Sequence, residues 1–245
     1  MDLLPAVPRH KTAIRRHDFS RPVKCLLRDG LLEPAATLFD YGCGRGEDVE
    51  LLRGRGFACS GWDPVFCPDL PRTAADVVTL SYVINVIEDL AERASALRQA
   101  WALCRRLLVV AAQAQVPGRG QTQIEFGDGV LTGRGTFQKF YAQAELQAYL
   151  EEQLGTAAVP AALSVFYLFR DETAGQAFLA DRYRRRPATP RKRRAEVRFE
   201  EGRDLLEPLM AAVAALGRLP DPDEFAAAEQ VAARFGSLPR AFALV

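Results

Sequence analysis

Leu38-Phe39-Asp40-Tyr41-Gly42-Cys43-Gly44-Arg45-Gly46-Glu47-Asp48-Val49-Glu50-Leu51-Leu52 decides the fold. A short apolar run ends in Asp-x-Gly-x-Gly-x-Gly and passes at once into a helical pattern. That order predicts a strand, a tight glycine turn and a helix start. Alternate glycines let the main chain turn through conformations that other residues avoid, and let a ligand lie against bare backbone. The free N–H groups of the helix start are expected to face whatever sits on the turn.

The spacing narrows the ligand. A dinucleotide turn reads Gly-x-Gly-x-x-Gly. Here the third glycine comes one residue early, which disfavours nicotinamide binding, and no Gly-Lys-Ser/Thr ending marks a P-loop. Gly56-Phe57-Ala58-Cys59-Ser60-Gly61-Trp62-Asp63-Pro64 reads as a second strand ending in an acid. Asp63 follows Asp40 by 23 positions, close to the spacing at which an acid meets ribose hydroxyls in a strand–helix–strand site. A carboxylate can accept from both hydroxyls. The Asp-x-Gly-x-Gly-x-Gly turn resembles motif I of the class I S-adenosylmethionine-dependent methyltransferases.

The chain has 245 residues, 49% hydrophobic and 26% charged, with a net charge of +1. That is an ordinary globular composition with room for a full core, and its global charge names no partner. No apolar run approaches the roughly 20 residues of a membrane span, and no secretory signal is visible. Cys25, Cys43, Cys59, Cys67 and Cys104 form no Cys-x-x-Cys, and the only histidines are His10 and His17. Neither a metal site nor a disulfide framework is suggested, and reduced thiols in a cytoplasmic protein are expected.

Four segments are expected. Residues 1–37 form a basic N-terminal segment, with a helix between Ser20 and Gly30 and Pro22 in its first turn. Two readings of the basic stretch Arg9–Arg28 stand side by side: it meets phosphate or caps a cofactor, or it is a solvated helix face.

Residues 38–181 form an α/β domain, a Rossmann-like class I methyltransferase sheet with helices on both faces. After Asp63 such a domain should show a helix, a third strand and another helix. The interval to Asp76 is too short and holds Pro68 and Pro71, so one strand–helix unit is expected to be trimmed away, with the acid that often faces adenine. Ala75–Asp89 resembles the fourth strand and motif IV region. A helix over Leu90–Cys104, a strand over Arg105–Ala112, a helix over Ala144–Leu154 and a final strand over Ser164–Arg170 follow. The glycine- and aromatic-rich stretch Phe126–Tyr141 suits a substrate lid, the other reading being a structured loop stapled to the core by its aromatics.

Residues 182–195 are an arginine-rich linker. Arg182–Arg194 is expected to track phosphate backbones, with Tyr183 stacking on a base; a solvated hinge is the other reading. Residues 196–245 should form two or three helices, one starting at Asp221-Pro222-Asp223-Glu224. The apolar ending Phe242-Ala243-Leu244-Val245 suggests a longer protein or an end that docks on a partner.

Taken together, the chain resembles the methyltransferase family associated with DNA phosphorothioation systems. The likeness rests on Arg9-His10-Lys11-Thr12-Ala13-Ile14 with Ser20-Arg21-Pro22-Val23, on Phe39–Gly46 and on Gly61-Trp62-Asp63-Pro64. It extends to Asn85-Val86-Ile87-Glu88-Asp89, Gly135-Thr136-Phe137-Gln138-Lys139-Phe140-Tyr141 and Phe166-Tyr167-Leu168-Phe169-Arg170-Asp171.

The resemblance implies a bacterial, cytoplasmic enzyme encoded near sulfur-modification and restriction genes, with S-adenosyl-L-methionine as cofactor and protein partners from that system. Gly42, Gly44 and Gly46 would approach the methionine part of the cofactor, Asp40 its ammonium and Asp63 its ribose. Ser81, Tyr82 and Asn85 would face the methyl group, Ser81 on the cofactor side and Tyr82 and Asn85 as the candidate catalytic pair. Leu80-Ser81-Tyr82-Val83 carries neither Asp/Asn-Pro-Pro-Tyr nor Pro-Cys, which disfavours ordinary base methylation. Nucleic acid, DNA foremost, is the expected acceptor, with RNA and small molecules also open. The alternative is a catalytically silent accessory protein that binds the cofactor and nucleic acid; it would keep the glycine turn and fill the cleft beside Tyr82 and Asn85.

Overall fold

The computed structural model describes residues 7–115, 124–184 and 199–242. Two compact units divide the chain, Met1–Tyr183 and Arg184–Val245. In the first, α1 (Arg21–Arg28) precedes β1 (Thr37–Tyr41), α2 (Glu47–Arg53), β2 (Ala58–Trp62), β3 (Ala75–Ser81), α3 (Leu90–Leu103) and β4 (Cys104–Ala111). Then come β5 (Ile124–Phe126), β6 (Gly129–Leu131), β7 (Phe137–Gln138), α4 (Gln143–Leu154), β8 (Ala158–Ala162), β9 (Val165–Phe169) and α5 (Glu172–Arg184).

A six-stranded sheet runs in the order β2-β1-β3-β4-β9-β8. The first four strands are parallel, and the β8–β9 hairpin closes the sheet antiparallel. This is the Rossmann-like sheet expected of a class I methyltransferase. The strands read as near-continuous apolar runs because both faces are covered. On one face Phe39, Val78, Leu80 and Phe166 pack with Leu97 of α3 and Leu146 and Leu150 of α4. On the other, Leu38, Val77, Val109 and Tyr167 pack with Leu26 of α1 and Leu52 of α2. Neighbours along β1 therefore point to opposite cores, as strand geometry requires.

The trimmed unit is absent: the chain runs from β2 to β3 without a helix or a further strand of the sheet, which leaves β2 as the outer strand. Strand β8 was not expected, because Pro160 and small residues break the strand signal; an edge strand tolerates proline.

The stretch Phe126–Tyr141, expected as a lid or as a loop stapled to the core, lies in a three-stranded meander, β5-β6-β7. It is stapled to the domain by Arg93, 1% exposed, whose guanidinium donates to Asp128 at 2.6 and 2.9 Å and to the Ile87 carbonyl. Phe137 of the meander is buried. Arg182 also departs from expectation, since it donates to the carbonyls of Pro160 and Ala161. The expected phosphate contacts and base stacking rest on the side chains of Tyr183 and Arg184 and on residues 185–194, which lie outside what the structure describes.

The second unit packs helices Arg203–Leu216, Ala228–Phe235 and Leu238–Phe242 around Leu206, Leu209, Phe225 and Val231. The expected helix start at Asp221 yields only a short 3-10 turn, Pro222–Glu224. Among the described residues no helix is long and apolar enough to cross a membrane.

Candidate functional site

From β1 the chain crosses to β2 on one side, while β3 lies on the other. Ligands of open α/β sheets bind at such a switch point, outside the carboxyl ends of the strands. Here that place is built by the glycine turn after β1. Gly42 and Gly44 have φ of +78° and +58°, the left-handed region that residues with a Cβ rarely enter. At Gly42 an added Cβ would lie 2.5 Å from Val83 Cγ2, so the approach itself requires glycine.

The turn spends its N–H groups on its own shape. Gly42 and Cys43 donate to the Trp62 carbonyl at 2.8 and 3.1 Å, and Gly46 donates to the Cys43 carbonyl at 3.0 Å. Gly44 donates to Asp63 Oδ2 at 3.0 Å. The expected row of free donors is therefore taken up at these positions. Glu47, Asp48 and Glu50 occupy the first turn of α2. Carboxylates there repel a pyrophosphate and suit a ligand with positive groups.

Asp63 joins the turn to the next loop. Its Oδ1 accepts from the N–H groups of Val65 and Phe66 at 2.9 and 3.0 Å. With Gly44 this makes three bonds, against about four acceptor sites on a carboxylate.

A cavity of about 330 Å³ opens on the turn. Gly42, Gly44, Asp63, Ser81 and Tyr82 line it, and Ser81 Oγ is buried with no hydrogen-bond partner among the described residues. One wall is aromatic: the rings of Tyr41 and Trp62 meet at a tilt of 54° with centroids 5.2 Å apart, and the Arg72 guanidinium lies 3.8 Å from the Trp62 ring centroid. Gln99 Oε1 accepts from Arg72 at 2.6 Å and from the Tyr41 hydroxyl at 2.9 Å. Another wall comes from the N-terminal segment, including Thr12, Ile14 and Arg16. Arg9 pins that segment to α3, donating to Glu92 at 2.5 and 2.8 Å and to Glu88 at 2.8 Å.

Asp40 and Gly46 are not among the lining residues. Gly46 caps the start of α2 with φ +87°. Asp40 is buried and accepts from the Thr79 hydroxyl at 2.6 Å. Burial pushes its carboxyl up to about 7, against the pull of the Thr79 bond.

A second cavity, of about 280 Å³, is where Asn85 lies, with Gln113 and Gln138. It shares Thr12, Ile14, Arg16, Tyr82 and Val86 with the first. Tyr82 holds φ +62°, a conformation costly for a bulky residue and found where the surroundings impose it. Its N–H donates to the Ala111 carbonyl at 2.7 Å, which ties the strained residue to β4. Burial raises its phenol above the ordinary value, against the nearby Arg16, so the hydroxyl keeps its proton at neutral pH.

No protein-family model matches the chain, and no curated protein matches it. Solved structures do resemble it. The 1,6-didemethyltoxoflavin-N1-methyltransferase of Burkholderia thailandensis is 18% identical, over 61% of this chain and 75% of that one, with a TM-score of 0.43. An amino pentose methyltransferase of Micromonospora echinaspora is 16% identical, over 65% and 100%, with a TM-score of 0.42. The magnesium protoporphyrin IX methyltransferase of Synechocystis PCC 6803 is 16% identical, over 61% and 76%, with a TM-score of 0.41.

Sequence reasoning picked out Gly42, Gly44, Asp63, Ser81 and Tyr82, all on the first cavity, and Asn85 on the second. It missed Arg72 and Gln99, which meet across the aromatic wall, and Gln113 and Gln138. No periodicity or motif marks Arg72, Gln99 or Gln113, whereas Gln138 lies in the stretch Gly135–Tyr141 that carries the family likeness.

Proposed function

We propose that this chain binds S-adenosylmethionine in the first cavity and methylates an acceptor held in the second. The observation that carries the reading is the pair of cavities meeting at Tyr82, one on a glycine turn with acids around it and the other open beside Asn85. When bound, the cofactor supplies a methyl group on an electrophilic sulfonium, so the protein's main task is alignment.

The residues present fit that cofactor. Gly42 and Gly44 offer bare backbone to its methionine part. Glu47 and Asp63 put carboxylates on that end of the cavity, beside Arg45, where an ammonium and a sulfonium could meet them. The acceptor site left on Asp63 would take a ribose hydroxyl. Tyr41 and Trp62 would wall the adenine, with Arg72 and Gln99 supplying polar groups where the trimmed unit removed an acid. Asp40 would act from beneath the turn, as a buried group near the cations rather than a direct ligand. Tyr82, fixed in a strained conformation and protonated, would donate a hydrogen bond between the two cavities.

The open second cavity favours an enzyme over the silent accessory protein, whose cleft would be filled. The likeness to the phosphorothioation-associated family and the arginine-rich run to Arg194 support nucleic acid, DNA foremost, as acceptor, in a cytoplasmic system with protein partners.

Calorimetric titration of S-adenosylmethionine tests the reading. Micromolar binding is expected for the wild type, and a loss of about tenfold or more for Asp63→Ala, the scale of a charge-assisted hydrogen bond. Tritiated-methyl transfer to DNA, RNA and metabolites would then find the acceptor. A wild type that does not bind the cofactor overturns the proposal.

A further inference from the structure

The second cavity has a one-sided chemistry. Arg16 and Arg21 line it and no carboxylate does. Arg16 is half-buried, and neither arginine has an ion-pair partner among the described residues. Elsewhere in the domain such cations are matched: Arg9 by Glu88 and Glu92, Arg93 by Asp128. A partly buried charge without a counter-charge is costly, and an arginine fork matches a phosphate.

The same cavity is lined by two buried polar side chains, Ser20 and Asn85, each 3% exposed. Ser20 Oγ and Asn85 Oδ1 are buried with no hydrogen-bond partner among the described residues. Buried polar groups are ordinarily satisfied, and an orphan asks for a ligand. Three planar amides, Asn85, Gln113 and Gln138, line this small space. Gln138 is held in place by its own Nε2, which donates to the carbonyls of Asn85 and Lys139 at 3.4 and 3.1 Å. Amides of this kind pair with the edges of heterocyclic bases, and the Arg16 guanidinium lies over the Tyr82 ring, 5.6 Å from its centroid. At about 280 Å³ the cavity has room for a single ring system rather than a base pair.

We propose that the second cavity binds one nucleotide unit, its phosphate on Arg16 and Arg21 and its base edge on the amides of Asn85, Gln113 and Gln138. Its role as the methyl acceptor rests on the methyltransferase reading; the binding itself does not. A free nucleotide and a base turned out of a single strand present the same chemistry, since enzymes that act on a base take it out of the stack.

The test is calorimetry on the full chain with the four nucleoside monophosphates, the matching nucleosides and a short single-stranded oligonucleotide. At least one monophosphate should bind, with its nucleoside weaker by about tenfold or more, the scale of charge-assisted bonds to phosphate. Arg21→Gln, an exposed position outside the first cavity, should weaken the monophosphate by a similar factor and leave S-adenosylmethionine binding unchanged. Asn85→Ser should alter the ranking of the four bases. If the oligonucleotide binds much more tightly than the monophosphate and Arg21→Gln weakens it too, the unit comes from a strand; if the monophosphate binds as tightly, it comes free. The proposal fails if no monophosphate binds, if nucleosides bind equally well, or if Arg16→Gln and Arg21→Gln change nothing. Nucleotide binding without S-adenosylmethionine binding would sink the cofactor reading and leave this assignment standing.

Discussion

Asp40→Asn is the most direct probe of the electrostatics beneath the glycine turn. Burial holds the Asp40 carboxyl up at about 7 in the folded protein, whereas an aspartate in an unfolded chain titrates near about 3.9. A group raised on folding adds stability that is complete below the unfolded value and is lost as pH rises through the folded value. Stability should therefore fall from about pH 4 to about pH 7 and then level off. A gap of about 3 in pKa, at about 1.4 kcal/mol for each, amounts to about 4 kcal/mol over the whole range. Asparagine has the same shape, still accepts the Thr79 bond and cannot ionise. Urea denaturation of both proteins at pH 5 and pH 8 should show the wild type losing about 3 kcal/mol relative to the variant between these values. Parallel pH profiles would refute the reasoning and would mean that Asp40 is held as an anion, with the charge of Arg16 acting on it.

Asp128→Asn leaves the buried Arg93 without its counter-charge and should cost about 2–3 kcal/mol, less than a fully buried pair because Asp128 is 31% exposed; a thermal midpoint unchanged within a degree would show that the meander is not held this way. Gly42→Ala should cost about 1–2 kcal/mol for the left-handed backbone and about 1–3 kcal/mol more for the contact with Val83. Adding Val83→Ala should recover only the second part in denaturant titrations, and recovery of all of it would refute the conformational share. Burial raises the Cys43 thiol, so iodoacetamide at pH 8 should label it far more slowly in the native protein than in urea; equal rates by mass spectrometry would contradict the packed turn.

The strand–turn–helix at Asp40–Leu52 was legible because its determinants are local. Glycine at 42, 44 and 46 announces backbone that other residues avoid, and apolar neighbours announce the strand. The missing unit was legible from chain length alone, since the interval to Asp76 cannot hold a helix and a strand. What escaped is non-local. Arg93 reads as one more surface position of α3, yet it is buried because its partner Asp128 lies 35 positions away. The N–H groups of the turn look free in sequence, but the Trp62 carbonyl and Asp63 arrive from the next strand to take them. Strand β8 hid behind Pro160, and Arg72 and Gln99 reach the aromatic wall from separate segments. Arg16 carried only the general signal of a basic stretch.

The position of β9 bears on how the chain is made. In the sheet β9 lies between β4 and β8, so the outer edge of β4 has no partner until residues 165–169 exist. During synthesis the ribosome therefore releases β1 to β4 with the apolar edge Leu107–Ala111 open, and only the hairpin that follows α4 seals it. Chains stopped before Phe169 should be captured by chaperones or aggregate through that edge, whereas stops after α5 leave the domain closed.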